Sequence, residues 1–173
     1  ARITNFQILN TSNQPVTETE KSATLKLDFN FEIPESIVVD NGNYFDVKIP
    51  EEFDLTTAVT YPTTFDIKDE NGMVVGTATI QPNAATATGG GGNVHVVFNE
   101  NAKGKYKFKG HLYFDSKINK NRVGDNQTIN VKTRVNNRED LTPGSKPIIV
   151  KPDRALSTVE VIGKWAKAPT VPN

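Results

Sequence analysis

Two basic runs and one tyrosine are the residues of this sequence best suited to recognition chemistry. Lys105, Lys107, Lys109 and His111 recur at every second position, Tyr113 follows at the same spacing, and Lys132 and Arg134 repeat the pattern further along. Residues two apart in a strand stand on the same face. The two runs would therefore merge into one basic patch if their strands pair as neighbours, as consecutive strands do about two thirds of the time. Such a patch suits an acidic stretch of a partner protein or a sulfated glycan, with the ring of Tyr113 as a platform for a sugar or peptide. The competing role is plain solvation of an outer strand face, where lysine discourages unwanted edge pairing.

Catalytic chemistry finds little to work with. His95 and His111 are the only histidines, and both face outward by strand parity. No H-x-x-x-H or G-x-S-x-G pattern is present, and Gly89 to Gly92 is followed by neither Lys-Ser nor Lys-Thr, so it reads as a flexible loop and not as a phosphate cradle. Asp66, Asp69 and Glu70 belong to a hairpin, and the run Asp40 to Asn43 lacks the remaining ligands of a calcium loop. The chain has no cysteine, which excludes disulfides and thiolate metal sites. The expectation is a protein with no catalytic residues, no metal and no cofactor.

The elements that must position these side chains are strands. In Lys105–Lys117, Tyr106, Phe108, Gly110, Leu112 and Phe114 share one parity and the polar residues share the other, the period of a strand with one buried face. Ser22–Ile33 repeats the pattern, with Ala23, Leu25, Leu27, Phe29, Phe31 and Ile33 inward until Pro34 ends it. Further strands are expected at Ile3–Leu9, Tyr44–Ile49, Val94–Phe98 and Thr128–Val135, the last with Ile129, Val131, Thr133 and Val135 inward. Phe65–Lys68 and Met73–Ile80 flank Asp69-Glu70-Asn71-Gly72, a hairpin signal. Short strands follow at Lys146–Pro152 and Ser157–Ile162, while 51–64 reads as an irregular connection with a helical turn near Glu51. Many short strands without interleaved helices predict an all-β, immunoglobulin-like antiparallel β-sandwich. A closed barrel competes, but two strands with wholly apolar faces favour a second sheet about 10 Å away.

At 173 residues the chain suffices for one domain, taken as residues 1–162, with 163–173 as a linker toward a following domain. Twenty basic residues balance twenty acidic ones, so bulk attraction to nucleic acid or to a membrane is not indicated. No apolar run approaches the roughly 18 residues of a membrane span, and a monomer is expected.

The order of features resembles a known family. ITNFQILNTSNQPVTE, SATLKLDFNFEIPESIVVDNGNYFDVKIPEEF, FDIKDENGMVVGTATI and NVHVVFNENAKGKYKFKGHLYFDSKIN, in that order, are similar to the N-terminal subdomain of the wall-anchored adhesins of Gram-positive bacteria, a group that includes collagen- and fibrinogen-binding surface proteins. The resemblance covers most of Ile3 to Asn119. It implies a secreted, cell-wall-anchored location, a host matrix or plasma protein such as collagen or fibrinogen as partner, and a neighbouring sandwich of the same polypeptide. It also implies a ligand trench between or across the two sandwiches. Lys164 and Trp165 stand where the second sandwich would open, and Trp165 is expected to pack against it. Related sandwiches carry lysine–asparagine isopeptide bonds, but Lys26 and Lys48 fall on outward parities, so no crosslink is expected here. A spacer domain without ligand contact is the alternative function. A carbohydrate-binding module is a further one, and it would align Tyr44 with Tyr113 on one sheet.

Overall fold

The computed structural model describes residues 1–56 and 63–154. In chain order the strands are β1 (Arg2–Leu9), β2 (Glu18–Glu20), β3 (Leu25–Glu32), β4 (Tyr44–Ile49), β5 (Phe53–Asp54), β6 (Thr64–Asp69), β7 (Val74–Pro82), β8 (Gly92–Phe98), β9 (Lys109–Ile118), β10 (Gln127–Val131), β11 (Arg134–Val135) and β12 (Lys146–Lys151). A single sheet path runs β1-β3-β9-β6-β7-β8-β4-β11, with β5 added to the end of β9, and β10-β12-β2 form a separate small sheet.

The long path folds over on itself into two layers. β6 and β9 share only Lys68↔His111 and Asp69↔Gly110, a hinge between β1-β3-β9 on one side and β6-β7-β8-β4-β11 on the other. Alternation supplies the glue: Leu25, Leu27, Phe29 and Phe31 of β3 are at most 1% exposed, and Phe45, Val47 and Ile49 of β4 at most 2%. Phe31 meets Phe45 with ring centroids 5.1 Å apart and Phe98 at 6.3 Å. β3 is not a sheet neighbour of β4 or β8, so these contacts cross the gap between layers. Each ring so buried stabilises by about 1.5–3 kcal/mol. Phe31 also covers Gly110, where an added Cβ would stand 2.2 Å from the ring. Glycine is required there by space.

The expected all-β sandwich is therefore present, built of antiparallel ladders except where β2 joins β12 in parallel. Four local expectations are corrected. Thr128–Val135 is not one strand: β10 pairs with β12, and β11 pairs with β4 in the other sheet. Its inward set was read rightly all the same, since Ile129, Val131, Thr133 and Val135 are buried. The strand expected over Lys105–Lys117 begins only at Lys109, because Lys107 takes a φ of 54°. That reversal breaks the two-residue period and leaves Tyr106 57% exposed instead of inward. The connection after Pro50 carries β5, paired with β9 through Phe53↔Ile118.

The fourth correction concerns the glycine run. Gly90, Gly91 and Gly92 are buried, with φ values of 121°, 62° and 154°. Gly91 N–H donates to Phe53 O at 2.7 Å, and a Cβ at Gly91 would stand 2.2 Å from Ile49 O. Glycine serves here for close packing of backbone on backbone. The expected strand Ser157–Ile162, the linker 163–173, and Lys164 and Trp165 lie outside the described residues.

Candidate functional site

The six cations expected to form one patch do not come together. Lys109 and His111 stand on the outer face of β9, while Lys132 follows β10 and Arg134 lies in β11, neither of which pairs with β9. The premise of neighbouring strands fails because the chain crosses from β9 to the small sheet before it returns to the edge of β4. Most of the charges are also matched locally. Lys132 and Arg134 share Glu139, the latter through Nη2 at 3.2 Å. The hydrogen bond from Lys132, and then that from Arg134, holds the Glu139 carboxyl below its ordinary value. Lys105 Nζ lies 3.8 Å from Asp69 Oδ2, and His111 Nε2 lies 2.8 Å from Asp28 Oδ1. Lys107 and Lys109 have no ion-pair partner among the described residues.

What β9 does present is a mixed polar and aromatic face beside an opening in the sheet. Tyr113 is 53% exposed, its ring 5.5 Å from that of His111, with Lys26 Nζ 4.8 Å above it. Lys26 and Lys48 stand on outer faces, as their parity indicated. Beyond the two-residue ladder, β6 and β9 diverge, and a cleft of about 530 Å³ opens between them. Phe65, Asp66, Lys68, Leu112 and Tyr113 line it, with Asp69, Glu70 and His111 at its hinge end. A smaller hollow of about 220 Å³ lies next to it over Gly110, bounded by Thr4, Asn30, Lys109 and His111. An extended segment laid in this wedge meets a strand edge, an aromatic ring and groups of both charges. The sequence reading found Tyr113, His111 and Lys109 on this face. It missed Asp28, Asp66 and Lys68, whose part depends on which strands are neighbours, something the period of a strand does not encode.

The second histidine has a carboxylate partner too. His95 Nδ1 is 2.7 Å from Asp46 Oδ1 across the β4–β8 ladder, and Tyr44 packs on the histidine ring at 5.0 Å. Among the described residues neither His–Asp pair is hydrogen-bonded to a serine, threonine or lysine that could act as a nucleophile. Among the described residues no group of three or more His, Asp or Glu is placed to hold a metal ion, and no helix is long and apolar enough to cross a membrane. Tyr44 and Tyr113 sit on opposite layers, so they do not form the aligned aromatic row that a carbohydrate-binding module would use.

Solved structures with the same fold include the serine-rich repeat adhesion glycoprotein Srr1 of Streptococcus agalactiae (15% identity, TM-score 0.53, covering 87% of this chain and 46% of that one). The serine-rich repeat protein Srr2 of the same species matches similarly (16%, TM-score 0.56, 88% and 45%). A third match comes from a structure of manganese lipoxygenase of Gaeumannomyces graminis with part of zonadhesin of Komagataella pastoris (12%, TM-score 0.61, 86% and 46%). The chain thus spans a little under half the length of each. No curated protein sequence matches it. At these identities the likeness is one of fold. The sequence itself is matched over residues 18–128, well over half of its length, by the model of the bacterial Ig domain, and the chain belongs to that family.

Proposed function

We propose that this domain is a non-catalytic adhesion module of a bacterial surface protein, which holds an extended segment of a host matrix or plasma protein in the wedge between β6 and β9. The observation that carries the reading is the wedge itself: two strands of one sheet that pair for two residues and then part beside exposed Tyr113. An unpaired strand edge offers main-chain hydrogen bonds to any extended polypeptide, and the side chains around it select among them. Membership of the bacterial Ig family and the fold shared with Srr1 and Srr2 support a surface role. A cell-wall-anchored position follows from the same reading, as does a neighbouring sandwich that would complete the trench.

The test is direct binding of the 173-residue chain to immobilised collagen, fibrinogen and fibronectin. Saturable binding to one of them, competed by a peptide of that protein, is expected. Absence of binding to all three, with the chain folded, would favour a spacer that projects another domain.

A further inference from the structure

The outer face of the second layer carries a cleft that the adhesion reading does not use. It has a volume of about 530 Å³ and is lined by Tyr44, Asp46, Lys48, Asn93, Asn136 and Asn137, within the roughly 300–1,000 Å³ range of small-molecule sites. We propose that it binds a neutral sugar.

Three observations point to that ligand class. First, no polypeptide strand can add at this place. Asn136 N–H donates to Asp46 O at 2.9 Å and Asn136 Oδ1 accepts from Asp46 N–H at 2.9 Å, so the backbone and side chain of Asn136 together occupy the edge that an incoming strand would need. Second, the walls are made of groups that match vicinal hydroxyls, each of which donates and accepts. Asp46 Oδ1 is fixed by Asn93 Nδ2 and His95 Nδ1, both at 2.7 Å, which leaves Oδ2 for a hydroxyl donor. The Asn137 amide has no hydrogen-bond partner among the described residues, and Lys48 Nζ and Asn136 Nδ2 complete the donor set, both N–H groups of Asn93 being taken by Asp46 and Gln81. Third, Tyr44 is 62% exposed with its ring braced by His95. A rigid aromatic plane beside a polar wall is what the apolar C–H face of a pyranose stacks on.

The site is also held in shape. Asn136 and Asn137 adopt left-handed φ values of 50° and 66°, and the two bonds of Asn136 to Asp46 of β4 hold the turn in that conformation. The Asp46 carboxylate faces the cleft and opposes acidic sugars, while Lys48 balances it, so the ligand is neutral.

The experiment is amide NMR titration of the 173-residue chain with galactose, mannose and N-acetylglucosamine, alongside 3′-sialyllactose. At least one neutral sugar is expected to shift the amides of Tyr44, Asp46, Asn93 and Asn136. Tyr44→Ala should weaken that binding about ten-fold. Asn137→Gly, which keeps the positive φ and removes the amide, should weaken it too, both variants keeping the wild-type melting temperature. The proposal is overturned if none of the neutral sugars shifts these amides, if both variants bind as the wild type does, or if only sialyllactose binds.

Discussion

Asn119 is fully buried, yet its side-chain NH₂ reaches three backbone carbonyls, those of Glu51 at 3.1 Å, Thr86 at 3.0 Å and Gly89 at 2.9 Å. It ties the segment before β5 to the glycine run before β8. Removing the amide takes the shared donor from three partly buried carbonyls, so Asn119→Ala should cost about 1–3 kcal/mol. Asn119→Asp should cost more, because a carboxylate would then face three carbonyl oxygens. Urea unfolding of both variants checks the order, and an aspartate variant as stable as the alanine one would contradict the account. Glu139 is the corresponding residue at the surface. Lys132 and Arg134 keep its pKa below the ordinary value, so it binds a proton less readily folded than unfolded. Its stabilising contribution is present above the ordinary glutamate pKa and is lost as pH falls through the depressed folded value. A carboxyl-carbon NMR titration should place the Glu139 midpoint below that of exposed glutamates and return it to the ordinary value in Lys132→Ala/Arg134→Ala.

Strands were legible wherever one face is wholly apolar. Leu25–Glu32 and Tyr44–Ile49 announce themselves by alternation, because burial of every second residue is what the sequence records. Partnership is recorded much more weakly. The alternation from Ile129 to Val135 continues unbroken while the chain passes from the small sheet to the edge of β4, since both stretches face the same core. That is why the basic patch was assembled wrongly although its inward residues were read correctly. β2, three residues with only Thr19 buried, is too short to carry a period. The glycine run was misread because glycine marks close packing as well as flexibility, and only neighbours distinguish the two. A test of strand pairing at this scale is Gly110→Ala. Its Cβ meets the Phe31 ring, so it should destabilise by about 1–3 kcal/mol through overpacking. Adding Phe31→Leu, itself destabilising alone, should give a double variant better than the sum of the single losses. Strict additivity would mean the two do not touch.

Across the whole molecule, β2 and β12 join segments about 130 residues apart in sequence, in a parallel ladder that runs from Ile149↔Glu18 to Lys151↔Glu20. β12 also pairs with β10, and Ile148 and Val150 are fully buried. A chain ending at Ser145 should therefore lose the native spectrum altogether, and circular dichroism melts would show no cooperative transition. The two layers have separate outer surfaces, and the account assigns protein recognition to the β9 side alone. The most direct test compares Lys109→Glu/Tyr113→Ala with Lys132→Glu/Arg134→Glu in surface plasmon resonance against the host protein that the wild-type chain binds. The β9 pair should lose affinity by about ten-fold or more, and the second pair, in another part of the fold, should bind as the wild type does. Equal losses in both, or a loss only in the second, would contradict the assignment of the ligand to the β6–β9 wedge.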